Sequence, residues 1–190
     1  AWHSLHGRAI PSAVGAKLSR KDLTVIVVAG DGDALGEGMG HFIHAVRGNA
    51  DVTYIIHDNK VYGLTVGQTA PTAIKGYKSK STPEGVIEVN ANALSLAIAS
   101  GCGFVSKGYS GKIPHLKNLI KEAISHRGFS LVDVYQPCVT FNKVNNFPFY
   151  NERVYDLAES GHDTGNRTVA FEKSLEWGDR IPIGIFYRDD

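Results

Sequence analysis

Leu23-Thr24-Val25-Ile26-Val27-Val28-Ala29 runs directly into Gly30-Asp31-Gly32-Asp33. A short, continuous, β-branched run ended by glycine and aspartate reads as a strand buried on both faces of a parallel sheet. Outward from it, strands and helices alternate. Gly36–Arg47 carries Met39, Phe42, Ile43 and Val46 at helical spacing and stops at Gly48. Val52–Ile56 is a second strand, followed by a turn at Asp58-Asn59-Lys60. Residues 61–84 predict a long loop, of a length that compact domains keep for function or mobility.

The alternation then resumes. Ala93–Ser100 reads as a helix, with Asn92 as N-cap and Gly101 as its stop. Gly103–Lys107 is a weak strand, Pro114–Arg127 an amphipathic helix and Ser130–Tyr135 another strand. After Pro137-Cys138 the composition shifts to asparagine and aromatics. Two helices are expected there, at about 151–159 and 168–177, and Ile181–Tyr187 reads as an edge strand because of Pro182. The predicted fold is α/β: a parallel sheet flanked by helices on both faces, with a C-terminal helical extension. Residues 1–142 are expected to form the ligand-binding domain, and 143–190 an extension packed on it.

Composition narrows the function. The 190 residues suit one domain or slightly more. Twenty Lys and Arg against 19 Asp and Glu leave +1, too little for a protein that grips nucleic acid through phosphates. The longest apolar run, Val25–Ala29, is far short of the roughly 20 residues of a membrane span. Two cysteines make no disulfide scaffold. The opening Ala1-Trp2-His3-Ser4-Leu5-His6-Gly7-Arg8 lacks both a Met and a signal-peptide pattern, and reads as an internal piece of a longer chain.

Ligands of open α/β sheets bind at the carboxyl ends of strands, where Gly30–Asp33 and Asp58-Asn59 lie. Three familiar loops fail on named residues. Leu35 stands where a dinucleotide fingerprint needs its third glycine, and Ile113 follows Gly111-Lys112 where a phosphate loop needs Ser or Thr. An EF-hand begun at Asp31 would put Leu35 at a ligand position and Phe42 in place of the bidentate Glu. What remains is an oxygen site for a hard cation, shared by the Asp31 carboxylate and the Asn59 amide oxygen. Mg²⁺ fits, since it takes part of its shell from phosphates. Glycines 30 and 32 would let the backbone approach such a phosphate.

Gly30-Asp31-Gly32, then 26 residues, then Asn59 resembles the thiamine-diphosphate motif. Asp58–Thr65, Gly67-Gln68 and Ala70-Pro71-Thr72 are similar to the β subunit of 2-oxoacid:ferredoxin oxidoreductases. So are His3–Arg8, Gln136–Asn142 and Ala170–Tyr187. The resemblance implies Mg²⁺ held by Asp31, Asn59 and the Val61 carbonyl. It implies thiamine diphosphate lying against Gly30, Asp31, Gly32, Asp33, Asn59, Val61, Tyr62, Gly63, Leu64 and Thr65. Gly67 and Gln68 would belong to the loop over the cofactor. His3, His6 and Arg8 would lie near cofactor and substrate, either handling a proton or the substrate carboxylate, or capping and packing a helix start. Cys138 would be one ligand of a [4Fe–4S] cluster whose other ligands lie outside this chain, whereas Cys102 reads as a small buried residue.

The implied activity is oxidative decarboxylation of a 2-oxoacid, such as 2-oxoglutarate or pyruvate, with coenzyme A. Electrons would pass through the cluster to ferredoxin. The enzyme would be a cytoplasmic heterodimer, active only with its α subunit, without membrane or nucleic-acid partners. The alternatives are a non-oxidative thiamine-diphosphate decarboxylase or synthase, a Mg²⁺-nucleotide binding module, and a catalytically dead interaction subunit.

Overall fold

The computed structural model describes residues 2–189. The chain winds into α1 (Ala9–Ser19) and then enters β1 (Ile26–Gly30). A π-helical stretch, Asp33–Glu37, leads into α2 (Met39–Arg47). Strand β2 (Thr53–Asp58) is followed by a small hairpin, β3 (Val61–Tyr62) and β4 (Gln68–Thr69). Then come α3 (Ala93–Ala99), β5 (Phe104–Tyr109), α4 (Ile113–Ser125) and β6 (Ser130–Tyr135). The C-terminal part holds α5 (Phe147–Arg153), β7 (Val154–Asp156), a 3₁₀ turn at Leu157–Ser160, α6 (Arg167–Ser174) and β8 (Ile181–Arg188).

The main sheet has the order β1-β2-β6-β5-β8-β7. Its first four strands are parallel, β8 runs antiparallel to β5, and β7 is parallel to β8. On one face, Val27, Tyr54, Ile56, Leu131 and Val105 pack against Ile10 of α1, Phe42 and Val46 of α2, Leu94 and Ile98 of α3, and Ala170 of α6. On the other, Ile55, Phe104, Val132 and Val134 meet Leu116, Ile120 and Ala123 of α4. The mixed, mostly parallel sheet with helices on both faces agrees with the predicted class.

Several local expectations change. β1 is the outer strand, and Ile26 and Val28 are 45% and 57% exposed. It is therefore not buried on both faces: α4 lies over β5 and β6, and among the described residues no element covers β1 on that side. A run of β-branched residues looks the same in either setting. β8 is not at the edge, because β7 pairs along it. The β5 ladder ends at Gly184, so the missing N–H of Pro182 falls beyond that pairing.

The helix expected at 151–159 lies earlier, capped by Asn146, whose side chain accepts from Phe149 N, and it gives way to β7. Within the expected long loop lies the β3–β4 hairpin. Helix α1 had no clear apolar period, with Pro11 in its first turn and Gly15 at its middle. Asn92 does cap α3, accepting from Leu94 N and Ser95 N. Among the described residues no helix is long and apolar enough to cross a membrane.

Candidate cofactor site at the strand ends

Parallel pairing of β1 with β2 sets Gly30 beside His57, so the turns that follow both strands emerge side by side. A cavity of about 590 Å³ opens there, a size suited to a cofactor-scale ligand. Gly30, Asp31, Gly32, Asp33, Asn59, Val61, Tyr62, Gly63, Leu64 and Thr65 all line it, together with His3 and His6. Arg8 does not; its guanidinium meets the ring of His41. Cys138 does not either, and packs beside Val61, Tyr77 and Phe141.

The turn after β1 is shaped by close approach. Gly38 N donates to Asp33 O at 3.0 Å, closing the wide π turn, a form often met at functional sites. A Cβ on Gly32 would lie 2.4 Å from the Tyr62 ring, so only glycine lets the two loops meet. Gly30 has nothing within 4 Å of its would-be Cβ and faces open space. The Tyr62 hydroxyl donates to Gly32 O at 3.3 Å.

Asp31 is 1% exposed. Its Oδ2 accepts from Lys60 N at 2.8 Å and from the Thr72 hydroxyl. Burial foremost, and then repulsion from Asp58, push its carboxyl up to about 7, against the pull of Thr72 and Lys60. A carboxylate so placed gains from a cation brought from outside. Asn59 is held ready: its Oδ1 accepts from Val61 N at 3.0 Å, and its carbonyl accepts from Asn142 Nδ2 at 3.1 Å. One carboxylate, one amide oxygen and a nearby backbone carbonyl are hard oxygen donors of the type Mg²⁺ takes. Among the described residues no cluster of three His, Cys, Asp or Glu side chains offers a different metal site.

On the rim, the His6 ring is fixed by carboxylates. Nδ1 lies 2.8 Å from Glu37 Oε2, Nε2 lies 3.7 Å from Asp33 Oδ1, and Gly7 N donates to Asp33 Oδ1 at 2.7 Å. Thr65 Oγ1 donates to Gln68 Oε1 at 2.8 Å, bracing the loop that carries Leu64, which is fully exposed.

Sequence reasoning missed Glu37, Thr72, Asn142 and a buried charge group formed by Asp58, Lys60, Lys107 and Asp133. Lys60 Nζ lies 3.2 Å from Asp58 Oδ2, and Lys107 Nζ lies 3.1 Å from the same oxygen and 2.5 Å from Asp133 Oδ2. Asp58, Lys60, Thr72 and Asn142 stand in the stretches that resemble the β-subunit family, without a role assigned to them, and Lys107 and Asp133 show in the sequence only as charged residues within strand-like segments. Cys102 is buried beneath the sheet, its thiol hydrogen-bonded to Phe104 O and Phe129 O and pushed by burial up to about 12.

Fold and site together define the class: residues 1–134 match the family model described as "Thiamine pyrophosphate enzyme, C-terminal TPP binding domain". Residues 138–190 match the model for the C-terminal part of the pyruvate ferredoxin oxidoreductase β chain. The 2-oxoacid:ferredoxin oxidoreductase subunit beta of Sulfolobus sp is 50% identical, over 99% of this chain and 65% of that protein. The 2-oxoglutarate oxidoreductase subunit KorB of Mycobacterium tuberculosis is 44% identical, over 74% of this chain and 38% of that protein. A solved structure of 2-oxoglutarate:ferredoxin oxidoreductase from Magnetococcus marinus, with 2-oxoglutarate, coenzyme A and succinyl-CoA bound, superposes with a TM-score of 0.93 at 36% identity. That match covers 97% of this chain and 63% of that one. The chain belongs to the family of 2-oxoacid:ferredoxin oxidoreductase β subunits. It spans just under two thirds of the length of the Sulfolobus relative, at 65%.

Proposed function

We propose that this chain binds thiamine diphosphate through Mg²⁺ and, with an α subunit, carries out oxidative decarboxylation of a 2-oxoacid to acyl-CoA and CO₂, with ferredoxin as electron acceptor. The observation that carries this reading is the convergence of Gly30–Asp33 with Asn59 and residues 61–65 on one cavity, around a buried carboxylate that among the described residues forms no ion pair. Asp31, Asn59 and the Val61 carbonyl would hold the metal, and the open backbone at Gly30 would face the diphosphate. When bound, thiamine diphosphate supplies a nucleophilic carbon and the electron sink for loss of CO₂.

The chain's own residues bind, orient and handle protons. Tyr62, fixed on Gly32 O, walls the cavity between the two loops. His6, whose ring meets Glu37, would exchange a proton with a group bound at the rim. Arg8, turned to His41, is not so placed. A 2-oxoglutarate-type substrate is the first choice, supported by the KorB relative and by the ligands of the Magnetococcus structure.

A [4Fe–4S] cluster takes four thiolates, and this chain has two cysteines, of which Cys102 is buried and hydrogen-bonded as a thiol. The chain thus does not hold a cluster alone. Cys138, half-buried beside Val61, would contribute one ligand.

The test is Asp31→Ala in the full-length, assembled enzyme stripped of cofactor. Mg²⁺-dependent binding of thiamine diphosphate, measured by titration calorimetry, is expected to be lost, and ATP is expected not to substitute for the cofactor. Unchanged affinity in the variant, or ATP binding equal to that of thiamine diphosphate, would overturn the assignment.

A further inference from the structure

We propose that Lys60 is a positioning residue for the metal loop: its buried ammonium clamps a left-handed turn that presents Asn59 and Val61 to the cofactor side. This rests on the cofactor reading above and goes beyond it, since Lys60 itself does not line that cavity.

Lys60 adopts φ +67°, a conformation L side chains rarely hold. The turn sends neighbouring residues to opposite sides. Asn59 and Val61 line the cavity at the strand ends, whereas Lys60 lines a second cavity, of about 360 Å³, behind the metal loop. An unassisted lysine would favour leaving that conformation. Here the side chain is anchored: Nζ donates to Asp58 Oδ1 and Oδ2 at 3.3 and 3.2 Å and to Thr72 O at 3.4 Å, and lies 5.0 Å from the Trp177 ring centre.

The anchor also reaches Asp31 by two routes. Lys60 N donates to Asp31 Oδ2 at 2.8 Å, and the hydroxyl of Thr72, whose carbonyl takes the ammonium, donates to the same oxygen. Lys60, Thr72 and Asp31 therefore close a ring joining the turn after β2 to the turn after β1. Lys60 with Lys107 balances Asp58 with Asp133, so the clamp carries no net formal charge into the interior.

A lysine serving only as half of a buried ion pair would make the same contacts. The two roles separate in a comparison of Lys60→Ala with Lys60→Gly in the full-length enzyme with its α subunit. Both variants remove the ammonium and leave Asp58 equally with Lys107 alone; only alanine also penalises the left-handed turn. Thermal midpoints and Mg²⁺-dependent thiamine diphosphate binding are measured for each.

Lys60→Ala is expected to weaken cofactor binding by about 10- to 100-fold, the usual scale for a residue that orients metal ligands. Lys60→Gly is expected to recover roughly tenfold of that, the left-handed penalty for a residue with a Cβ. Equal affinities in the two variants, or parental affinity in Lys60→Ala, would overturn the proposal. If the single variants fail to assemble, the same pair is compared on an Asp58→Asn background, where no carboxylate is left without its partner. Asp31→Ala, run alongside, separates the two ideas. Loss of binding there with Lys60→Ala at parental affinity removes only the role of Lys60; retained binding in Asp31→Ala removes the cofactor site itself.

Discussion

Asp31 follows β1 and Asp58 ends β2; each lies one residue beyond Gly30 and His57, the last pair of the parallel ladder, and the two are almost equally buried, at 1% and 4% exposed. Their surroundings differ in one respect. For both carboxylates, burial acts to raise the pKa. At Asp58 the ammonium groups of Lys60 and Lys107 outweigh it and hold the carboxyl down at about 2. At Asp31 burial prevails, helped by the charge of Asp58, and the carboxyl sits near 7. Asp58 is thus a finished structural charge, compensated inside the protein. Among the described residues Asp31 has no ion-pair partner, and it lines a cavity together with Gly30 and Gly32, which is the arrangement expected of a metal ligand.

Neutralising each carboxylate in turn should separate the two most sharply. Asp58→Asn strands a buried ammonium, and is expected to cost about 3–5 kcal/mol of stability, read as a fall in the urea midpoint. A loss below about 1 kcal/mol would mean that the buried charge group is not the support it resembles. Gly32→Ala comes next. The added methyl group meets the Tyr62 ring, and overpacking of this kind costs about 1–3 kcal/mol. Because Tyr62 is only partly buried, its movement should be visible as weaker cofactor binding along with the stability loss.

The smallest stability change is expected from Asp31→Asn. It removes a buried carboxylate without stranding a partner charge, so the cofactor-free protein should be unchanged or more stable, by up to about 1 kcal/mol. Binding of Mg²⁺ should nevertheless be lost. Asp31→Asn and Asp58→Asn giving the same stability change would erase the distinction between the two ends.

The sheet was largely legible in the sequence. Ser130–Tyr135 appears with its expected bounds, the cap at Asn92 is where its side chain predicted, and Gly30-Asp31-Gly32 ends a strand. Local rules carry these features: β-branched runs, capping side chains and glycine turns act over a few residues. The misreadings are of another kind. The apolar run predicts burial for Ile26 and Val28, yet both are exposed, because such a run says nothing of which strand lies at the edge. The 3₁₀ turn at Leu157–Ser160 and the short β7 were hidden in an aromatic stretch without a clear period.

The site divides along the same line. Residue types and spacing alone singled out Asp31 and Asn59 as partners, since strand ends in a parallel sheet come together at one edge. Nothing in the chain order separates Asp31 from Asp58 as charges. That depends on the ammonium of Lys107, brought from β5 to 3.1 Å from Asp58, acting together with that of Lys60. Desolvation and Coulomb attraction act through space, at distances the packed sheet sets and sequence separation does not. The tertiary structure therefore decided which buried aspartate is compensated by lysines of the protein and which is the one proposed to meet a cation.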